Sequence, residues 1–570
     1  MGYKRIVLAL ALAGLQVLSA GAQIRAVTAS DELLGLWGGE ALLGPLVRGD
    51  IILQCRARRC TARVAGFEAT AEQSGDSLIL PLPGGQGTLR AWVHHESIDG
   101  FWVQPGTDER APYATPIHFH VAGEGLWRGV VVPLDDRFLL YLWVSHGPDG
   151  SLRGIFRNPE VNWPGRAGAY GIERHGDTLA FRDSRTGQVR YRQLYDSANH
   201  TILFDFGGPI VLTPRTPEQA IGFFPRAASL PEYAYRVPVP QSDGWRTGRA
   251  AAAGFDESAL QAIVRRLAKN DPLSDTTPRV HSLLIARRGS LVLEEYFYGY
   301  GPDRPHDLRS ASKTMTSVMA GVAMHRGARF GVSSRVDSSD LALPPITVGH
   351  LLTHTSGLAC NDDDDKSPGN EDVMQSQHAE INWYRYVLAL PRVRAPGLTY
   401  SYCSGGINLV GQVIGQATHQ WLPAFFDQFI AQPMHISNYA VNLMPTGEAY
   451  SGGGMHMLSR DFLKFGQLYL NGGTWNGTRL VSAAWAAQST ARQVDRPDGS
   501  SDGFGWHRHL LQVGGRALET YEASGNGGQI LIVIPALDVT IAVTAGNYGQ
   551  YGVWQRIREV LVPQVLLAAH

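Results

Sequence analysis

A serine and a lysine three positions apart, Ser310 and Lys313, are the residues whose types and spacing point most directly to chemistry. Residues with this spacing lie about 5 Å apart on one helix face, so the hydroxyl and the amine can share a hydrogen bond. The segment HDLR before Ser310 and the apolar segment TMTSVMAG after Lys313 place the serine in a first helical turn. There Ser310 can act as a nucleophile and a neutral Lys313 as its base.

The start of this helix affects both groups. Its unpaired N–H groups favour an oxyanion near Ser310, and its positive end lowers the pKa of Lys313. Burial would lower that pKa further, so we expect a neutral lysine. The alternative is a solvated lysine on a helix that begins with a serine by chance.

Tyr402 supplies a third group for proton transfer. It stands in TYSYCSGGINLVG, shortly before a Gly-Gly pair and an apolar helix, so its hydroxyl can lie at a loop-to-helix junction. A phenol beside an ammonium ionises more easily and can accept the serine proton or activate a water. A tyrosine at such a junction is often structural, so its role depends on its neighbours.

The composition is that of a folded protein with more than one core. The chain has 570 residues, of which 44% are hydrophobic and 18% charged, and we expect two folded domains. The formal net charge of -1 gives no overall field that would attract nucleic acid or an anionic membrane. We therefore expect no nucleic-acid partner, and the function must lie in local sites.

Residues 1–22 have the layout of a secretory signal peptide. Lys4 and Arg5 precede a short apolar run that ends in the small residues Ala20 and Ala22. No later stretch is long and apolar enough to span a bilayer, so we expect no transmembrane segment in the mature chain. The protein is predicted to be exported, either to the periplasm or into the medium.

Export changes the expectation for the four cysteines, because an oxidising compartment permits disulfides. Cys55 and Cys60 bracket RARR and could close a small hairpin, while Cys360 and Cys403 could join two loops. Four cysteines allow three pairings, and buried free thiols are the alternative. No cysteine or histidine spacing indicates a metal site, and we expect neither a metal nor a cofactor.

The chain divides into a β-rich part and a mixed part. Residues 29–235 show alternating strand patterns between turn signals, which predicts an all-β barrel or sandwich. Residues 236–250 are rich in proline and polar residues and form the expected linker. Residues 251–570 have strand patterns at both ends and helical patterns between them, which predicts a central antiparallel sheet flanked by helices.

Four ordered motifs resemble the serine β-lactamase and penicillin-binding-protein-like superfamily. They are Ser310-Ala311-Ser312-Lys313, ITVGHLLTHTSGL from Ile346, Tyr402-Cys403-Ser404, and SGNGGQ from Ser524. The closest likeness is to class C β-lactamases and the related esterases, D-aminopeptidases and nylon-oligomer hydrolases. The resemblance covers the chain from about Gly244 to the C-terminus. It implies that Ser310 is the nucleophile, Lys313 its base and Tyr402 the partner in proton transfer.

Two motifs differ from the family pattern. Ser404 stands where class C enzymes carry an asparagine that contacts substrate, and Ala523-Ser524-Gly525 is the best match to their Lys-Thr-Gly strand. The resemblance therefore implies that Ser404 and this strand segment face the substrate. The missing lysine removes a cation that would pair with a substrate carboxylate. The backbone at Asn526 could still donate to an oxyanion together with the N–H of Ser310.

These residues predict an exported serine hydrolase that cleaves a small-molecule or peptide-like ester or amide through an acyl-enzyme on Ser310. Carboxylesterase or amidase activity is favoured. A true β-lactamase, a D-alanyl peptidase and a non-catalytic receptor or scaffold are the alternatives.

The acidic segment 361–372 lacks the spacing of a calcium loop, and we expect a solvated loop beside the site. His354 is expected to cap a helix end.

Overall fold

The computed structural model describes residues 31–42, 47–93, 97–106, 111–134, 137–163, 169–205, 208–227, 229–336 and 345–569. The predicted signal peptide therefore lies outside the described residues. Among the described helices, none has both the length and the apolar character needed to cross a bilayer.

Strands dominate the described chain up to Pro214. They are β1 (Gly35–Leu42), β2 (Gly49–Arg56), β3 (Arg59–Val64), β4 (Phe67–Glu72), β5 (Ser77–Pro81), β6 (Thr88–Val93), β7 (Ile98–Gln104), β8 (Tyr113–His118), β9 (His120–Gly123), β10 (Leu126–Val131), β11 (Arg137–His146), β12 (Leu152–Arg157), β13 (Ala169–His175), β14 (Thr178–Asp183), β15 (Val189–Asp196), β16 (Thr201–Asp205) and β17 (Pro209–Pro214).

The strands after Pro214 vary in length. They are β18 (Arg246–Thr247), β19 (Val280–Arg287), β20 (Ser290–Tyr296), β21 (His306–Asp307), β22 (Tyr439–Asn442), β23 (Met455–Met457), β24 (Thr474–Trp475), β25 (Thr478–Arg479), β26 (Val494–Asp495), β27 (Ser501–Asp502), β28 (His507–Val513), β29 (Arg516–Gly525), β30 (Gln529–Ile534) and β31 (Val539–Ala545).

Helices lie between and after these strands. They are α1 (Glu257–Ala268), α2 (Ser312–His325), α3 (Val348–Leu352), α4 (Glu371–Ser376), α5 (Trp383–Leu388), α6 (Ser404–Thr418), α7 (Leu422–Phe426), α8 (Ser459–Leu470), α9 (Ala483–Thr490), α10 (Tyr551–Arg556) and α11 (Val562–Leu567). A single 3-10 turn, Arg309–Ala311, leads into α2.

The predicted all-β part contains a closed eight-strand barrel. Its strand order is β1-β11-β12-β13-β14-β15-β16-β17, and antiparallel pairing of β1 with β17 closes it. The core is aromatic: Trp37 is buried, and the ring of Phe156 packs against those of Phe181 and Phe204. Closure leaves the barrel without a free sheet edge.

The remaining early strands form two further sheets. One has the order β4-β3-β2-β10-β9, and the other has the order β21-β23-β22-β8-β7-β6-β5. In the second sheet β8 pairs antiparallel with β22, with Val441 opposite Ala114. Strands separated by more than 300 residues in sequence thus share one sheet, and composition along the chain carries no signal of such pairing.

Compact units follow a different division from the predicted domain limits. One unit comprises Met1–Gly39, Tyr141–Phe156 and Ala167–Arg215, and the other comprises Glu40–Leu140, Arg157–Arg166 and Thr216–His570. The limits 29–235, 236–250 and 251–570 therefore stay predictions.

The central sheet of the later part confirms the predicted fold class. Its order is β18-β20-β19-β31-β30-β29-β28-β27-β26, antiparallel in every registered pair except β18 with β20. Side chains alternate along β30: Ile530 and Ile532 pack with α1 and α11, whereas Leu531 and Val533 pack with α2, α6 and α8. The sheet is therefore covered by helices on both faces, as a continuous apolar strand requires.

Candidate active site

The 3-10 turn Arg309–Ala311 carries Ser310 to the start of α2. Ser310 is half-buried, and Lys313, one turn further on, is 4% exposed. The ammonium Nζ of Lys313 donates to Ser310 Oγ at 2.8 Å. The structure thus brings the predicted nucleophile and its partner into direct contact, because the helix places both side chains on one face.

The residue before the nucleophile has a strained backbone. Arg309 has φ +49°, a left-handed conformation that costs free energy in a residue with a side chain. Its side chain is held from two sides, because Nε lies 2.7 Å from Asp307 Oδ2 and the guanidinium lies 5.1 Å from the ring centroid of Tyr548. These contacts stabilise a sharp turn that presents Ser310.

Gly525, the last residue of β29, packs directly against this turn. A Cβ at Gly525 would lie 2.2 Å from the carbonyl oxygen of Leu308 and 3.1 Å from the backbone nitrogen of Ala311. Real Cβ atoms do not approach so closely, so only glycine lets the strand and the nucleophile turn come together. The predicted Ala523-Ser524-Gly525 segment therefore borders Ser310.

The end of β29 is open on one side. The last registered pair between β28 and β29 joins His507 to Glu522, so Ala523, Ser524 and Gly525 continue past the neighbouring strand. Ala523 is buried and Ser524 is half-buried. This leaves a stretch of strand beside the nucleophile where an extended substrate can lie.

Asn526 follows at the hairpin after β29. Its side chain is exposed, and its Oδ1 accepts a hydrogen bond from the N–H of Gly549 at 2.9 Å. The side chain is therefore engaged in holding the hairpin. The predicted role of its backbone N–H as an oxyanion donor, together with that of Ser310, stays a prediction.

Tyr402 lies at the predicted junction, two residues before the first turn of α6. Its ring centroid is 4.9 Å from Lys313 Nζ. Cys403, the N-cap residue of α6, is joined by a disulfide to Cys360, and a second disulfide joins Cys55 to Cys60. The Cys360–Cys403 bridge thus anchors the loop that carries the phenol.

The charges around Lys313 oppose the lowering of its pKa that the helix start predicts. Burial lowers the pKa of Lys313, but the charges of Tyr402, Glu371 and Asp362 together raise it above its ordinary value. Burial also raises the pKa of Tyr402, and Lys313 and Ser310 offset that rise only in part. The titrations of Lys313 and Tyr402 are therefore coupled. The pair must lose one proton before it can accept another from Ser310.

Asp362 and Glu371 contribute to this field after Tyr402, and neither residue was predicted from the sequence to act on Lys313. Asp362 Oδ2 accepts from both the N–H and the hydroxyl of Ser404 at 2.7 Å, and its Oδ1 accepts from the N–H of Glu371 at 2.9 Å. Glu371 Oε1 accepts from the hydroxyl of Tyr450 at 2.7 Å. Burial raises the pKa of Asp362 to about 6, although Lys313 opposes the rise.

The structure places the Ser404 side chain differently from the prediction. The hydroxyl that was predicted to contact substrate is fully buried and bound to Asp362, because the N-terminus of α6 attracts a carboxylate. In the acidic loop residues 363–366, Pro368 and Asp372 are exposed, whereas Asp362 is half-buried. No local pattern in NDDDDK distinguishes Asp362 from the aspartates that follow it.

A histidine and an aspartate were also missed. His507 Nδ1 lies 2.8 Å from Asp502 Oδ1, and the His507 ring centroid is 6.5 Å from that of Tyr402. His354 packs closer, with 4.6 Å between its ring centroid and that of Tyr402. Burial lowers the pKa of His354 to about 3, so this ring is neutral and its Nδ1 accepts from the N–H of Cys403 at 3.2 Å.

His354 follows the end of α3 with φ +56°, as a residue that ends a helix does. Within the described residues no group of three or more histidine, cysteine, aspartate or glutamate side chains is arranged to hold a metal ion.

A serine, a lysine and a tyrosine thus lie together at a helix start beside an antiparallel sheet, as the four sequence motifs predict. Residues 278–553 match the Beta-lactamase family model, and this part of the chain is a β-lactamase-fold domain.

Related proteins include hydrolases. The 6-aminohexanoate-dimer hydrolase of Paenarthrobacter ureafaciens is 25% identical over 310 residues, which cover 50% of this chain and 76% of that protein. EstCE1, described as a hydrolase with promiscuous acyltransferase activity, is 18% identical with a TM-score of 0.42, covering 54% of this chain and all 100% of that structure. A penicillin-binding protein homologue from Caulobacter crescentus is 16% identical with a TM-score of 0.43, covering 54% and 97%.

Proposed function

We propose that the protein is a serine hydrolase that cleaves an ester or amide bond through an acyl-enzyme on Ser310. The observation that carries the proposal is the 2.8 Å contact between Lys313 Nζ and Ser310 Oγ, with the Tyr402 ring beside the same amine. A serine hydroxyl is a weak nucleophile unless a neighbouring base takes its proton.

The reaction has two steps. Once the Lys313 and Tyr402 pair has lost one proton, it takes the proton of Ser310 while Oγ bonds to the carbonyl carbon of the substrate. The bond to the leaving group then breaks, and the leaving oxygen or nitrogen receives that proton. In the second step the same pair takes a proton from a water as the water oxygen bonds to the acyl carbon. The pair returns that proton to Ser310 Oγ as the ester bond to the serine breaks, which releases the carboxylic acid and the free hydroxyl.

Ester or amide substrates without a required carboxylate are favoured by the strand beside the nucleophile. Ala523 stands where the related enzymes carry a lysine, and its buried methyl group cannot pair with an anion. The open edge at Ser524 and Gly525 still offers backbone groups to a linear substrate. Because one relative is a 6-aminohexanoate-dimer hydrolase, a linear amide is a reasonable test substrate.

Export is part of the proposal. A signal-like segment at residues 1–22 and two disulfides are both expected of a protein that works in an oxidising compartment. N-terminal sequencing of the protein recovered outside the cytoplasm should begin close to residue 23. Recovery of the uncleaved chain from the cytoplasm would contradict export.

A substrate screen tests the activity. Wild-type protein, Ser310→Ala and the control Ser376→Ala, an exposed serine on α4, are each given a p-nitrophenyl ester, the 6-aminohexanoate dimer, a D-alanyl peptide and a chromogenic β-lactam. We expect turnover of the ester or the amide that Ser310→Ala abolishes and Ser376→Ala retains. Turnover that survives in Ser310→Ala would refute the mechanism, and turnover of the β-lactam alone would replace the proposed substrate class.

A further inference from the structure

One cavity of the structure lies apart from Ser310, and none of the site residues described above lines it. It has a volume of about 360 Å³, and its walls include Arg90, Trp92, Asp99, Phe101 and Trp421. Aromatic side chains with a few converging polar groups are typical of small-molecule sites, and this volume is within their range.

Strand register explains how the walls are assembled. On β6 and β7, Arg90 faces Phe101 and Trp92 faces Asp99, so these four side chains share one face of the sheet. Trp421, at the start of α7, covers that face. Its ring stacks on Trp92 with centroids 5.9 Å apart and meets the edge of Phe101 at 5.3 Å.

The cation in this cavity has no partner of opposite charge in contact with it. The Arg90 guanidinium lies 4.2 Å from the Trp421 ring centroid and 5.4 Å from that of Trp92. Its Nε is buried without a hydrogen-bond partner, and no carboxylate of the described chain lies within ion-pair distance. Burial lowers the pKa of Arg90, and Glu448 offsets this only from farther away.

Arg90 can bind an anion in this position. Arg90 is half-buried, and its buried Nε–H has lost its hydration without gaining a hydrogen-bond partner in the described chain. The planar guanidinium binds a carboxylate through two parallel hydrogen bonds, and the tryptophan faces accommodate a flat body.

The acidic side chains of the cavity set a limit on the charge of the ligand. The carboxylate of Asp427 accepts hydrogen bonds from Tyr439 at 2.8 Å and from Gln432 at 2.7 Å. Asp99 lies opposite Trp92, diagonal to Arg90 on the sheet. A ligand with a second negative charge would meet these carboxylates and be repelled.

We propose that the cavity at Arg90 is a binding site for a small, flat, singly charged carboxylate. The carboxylate pairs with Arg90, and the apolar body lies against the Trp92 and Trp421 side of the cavity. This site is separate from the proposed hydrolysis at Ser310, so either can exist without the other.

Isothermal titration of the Ser310→Ala full chain with four matched probes tests the proposal. They are 4-methylbenzoate, terephthalate, 4-methylbenzylamine and 4-methylbenzyl alcohol, which have the same ring and carry one negative, two negative, one positive and no charge. We expect one saturable site for 4-methylbenzoate and at least tenfold weaker binding of the other three.

Variants identify the residue responsible. Arg90→Gln should weaken 4-methylbenzoate binding at least tenfold, whereas Arg128→Gln, which removes an exposed arginine on β10, should leave it unchanged. Circular dichroism establishes that both variants are folded. The proposal fails if the Ser310→Ala protein does not bind 4-methylbenzoate, if the alcohol, the amine or terephthalate binds as well, or if Arg90→Gln and Arg128→Gln behave alike.

Discussion

Replacing Gly525 with alanine should impair catalysis by moving the nucleophile. The added Cβ would lie 2.2 Å from the carbonyl oxygen of Leu308, whereas ordinary contacts begin at 3.4 Å, so the strand and the turn must separate. The separation needed is about 1 Å, and a displacement of this size between reacting groups costs about a hundredfold in rate. We expect kcat/KM for a p-nitrophenyl ester to fall by that factor.

The assay compares Gly525→Ala with Gly552→Ala, whose Cβ would meet no atom within 4 Å. Neither glycine has a positive φ, so the substitutions differ in the clash and not in backbone strain. Thermal unfolding shows whether the variants are folded. Wild-type kcat/KM in a folded Gly525→Ala protein would refute the inferred contact between β29 and the nucleophile turn.

Two further predictions concern charge and cross-linking. Because Glu371 helps to raise the pKa of Lys313, activity should fall as pH decreases through the pKa of the Lys313 and Tyr402 pair. Glu371→Gln should lower that pKa and move the limb of the pH–rate profile toward acid; an unmoved limb would contradict the role of Glu371. The disulfide between Cys360 and Cys403 spans 43 residues, so replacing both with serine should lower the free energy of unfolding by about 4 kcal/mol in a denaturant titration. The bridge from Cys55 to Cys60 spans 5 residues, and its removal should cost about 2 kcal/mol, so equal losses would contradict the loop-closure explanation.

The contacts and elements that depend on neighbouring residues could be predicted from the sequence. The spacing of Ser310 and Lys313 and the helical pattern after them are sufficient to bring the two side chains together. The sheet and its covering helices follow from strand and helix periods, which depend only on neighbouring residues.

The features that depend on residues far apart in the sequence could not be predicted from it. Burial, Tyr402, Glu371 and Asp362 all act on the pKa of Lys313. The two carboxylates stand about 50 to 60 residues away in sequence, and nothing local shows that they fold toward the lysine. Ser404 was assigned by analogy to face substrate, but the carboxylate of Asp362 draws its hydroxyl inward. The pairing of β8 with β22 likewise requires the fold itself.

The most direct test of the account is to trap the covalent intermediate. Wild-type protein is treated with a fluorophosphonate, digested and mapped by mass spectrometry, and Ser310→Ala is treated in parallel. The account predicts one adduct on the peptide that contains Ser310 and none in the variant. An unmodified wild-type protein, or an adduct on another serine, would contradict the assignment of Ser310 as the nucleophile.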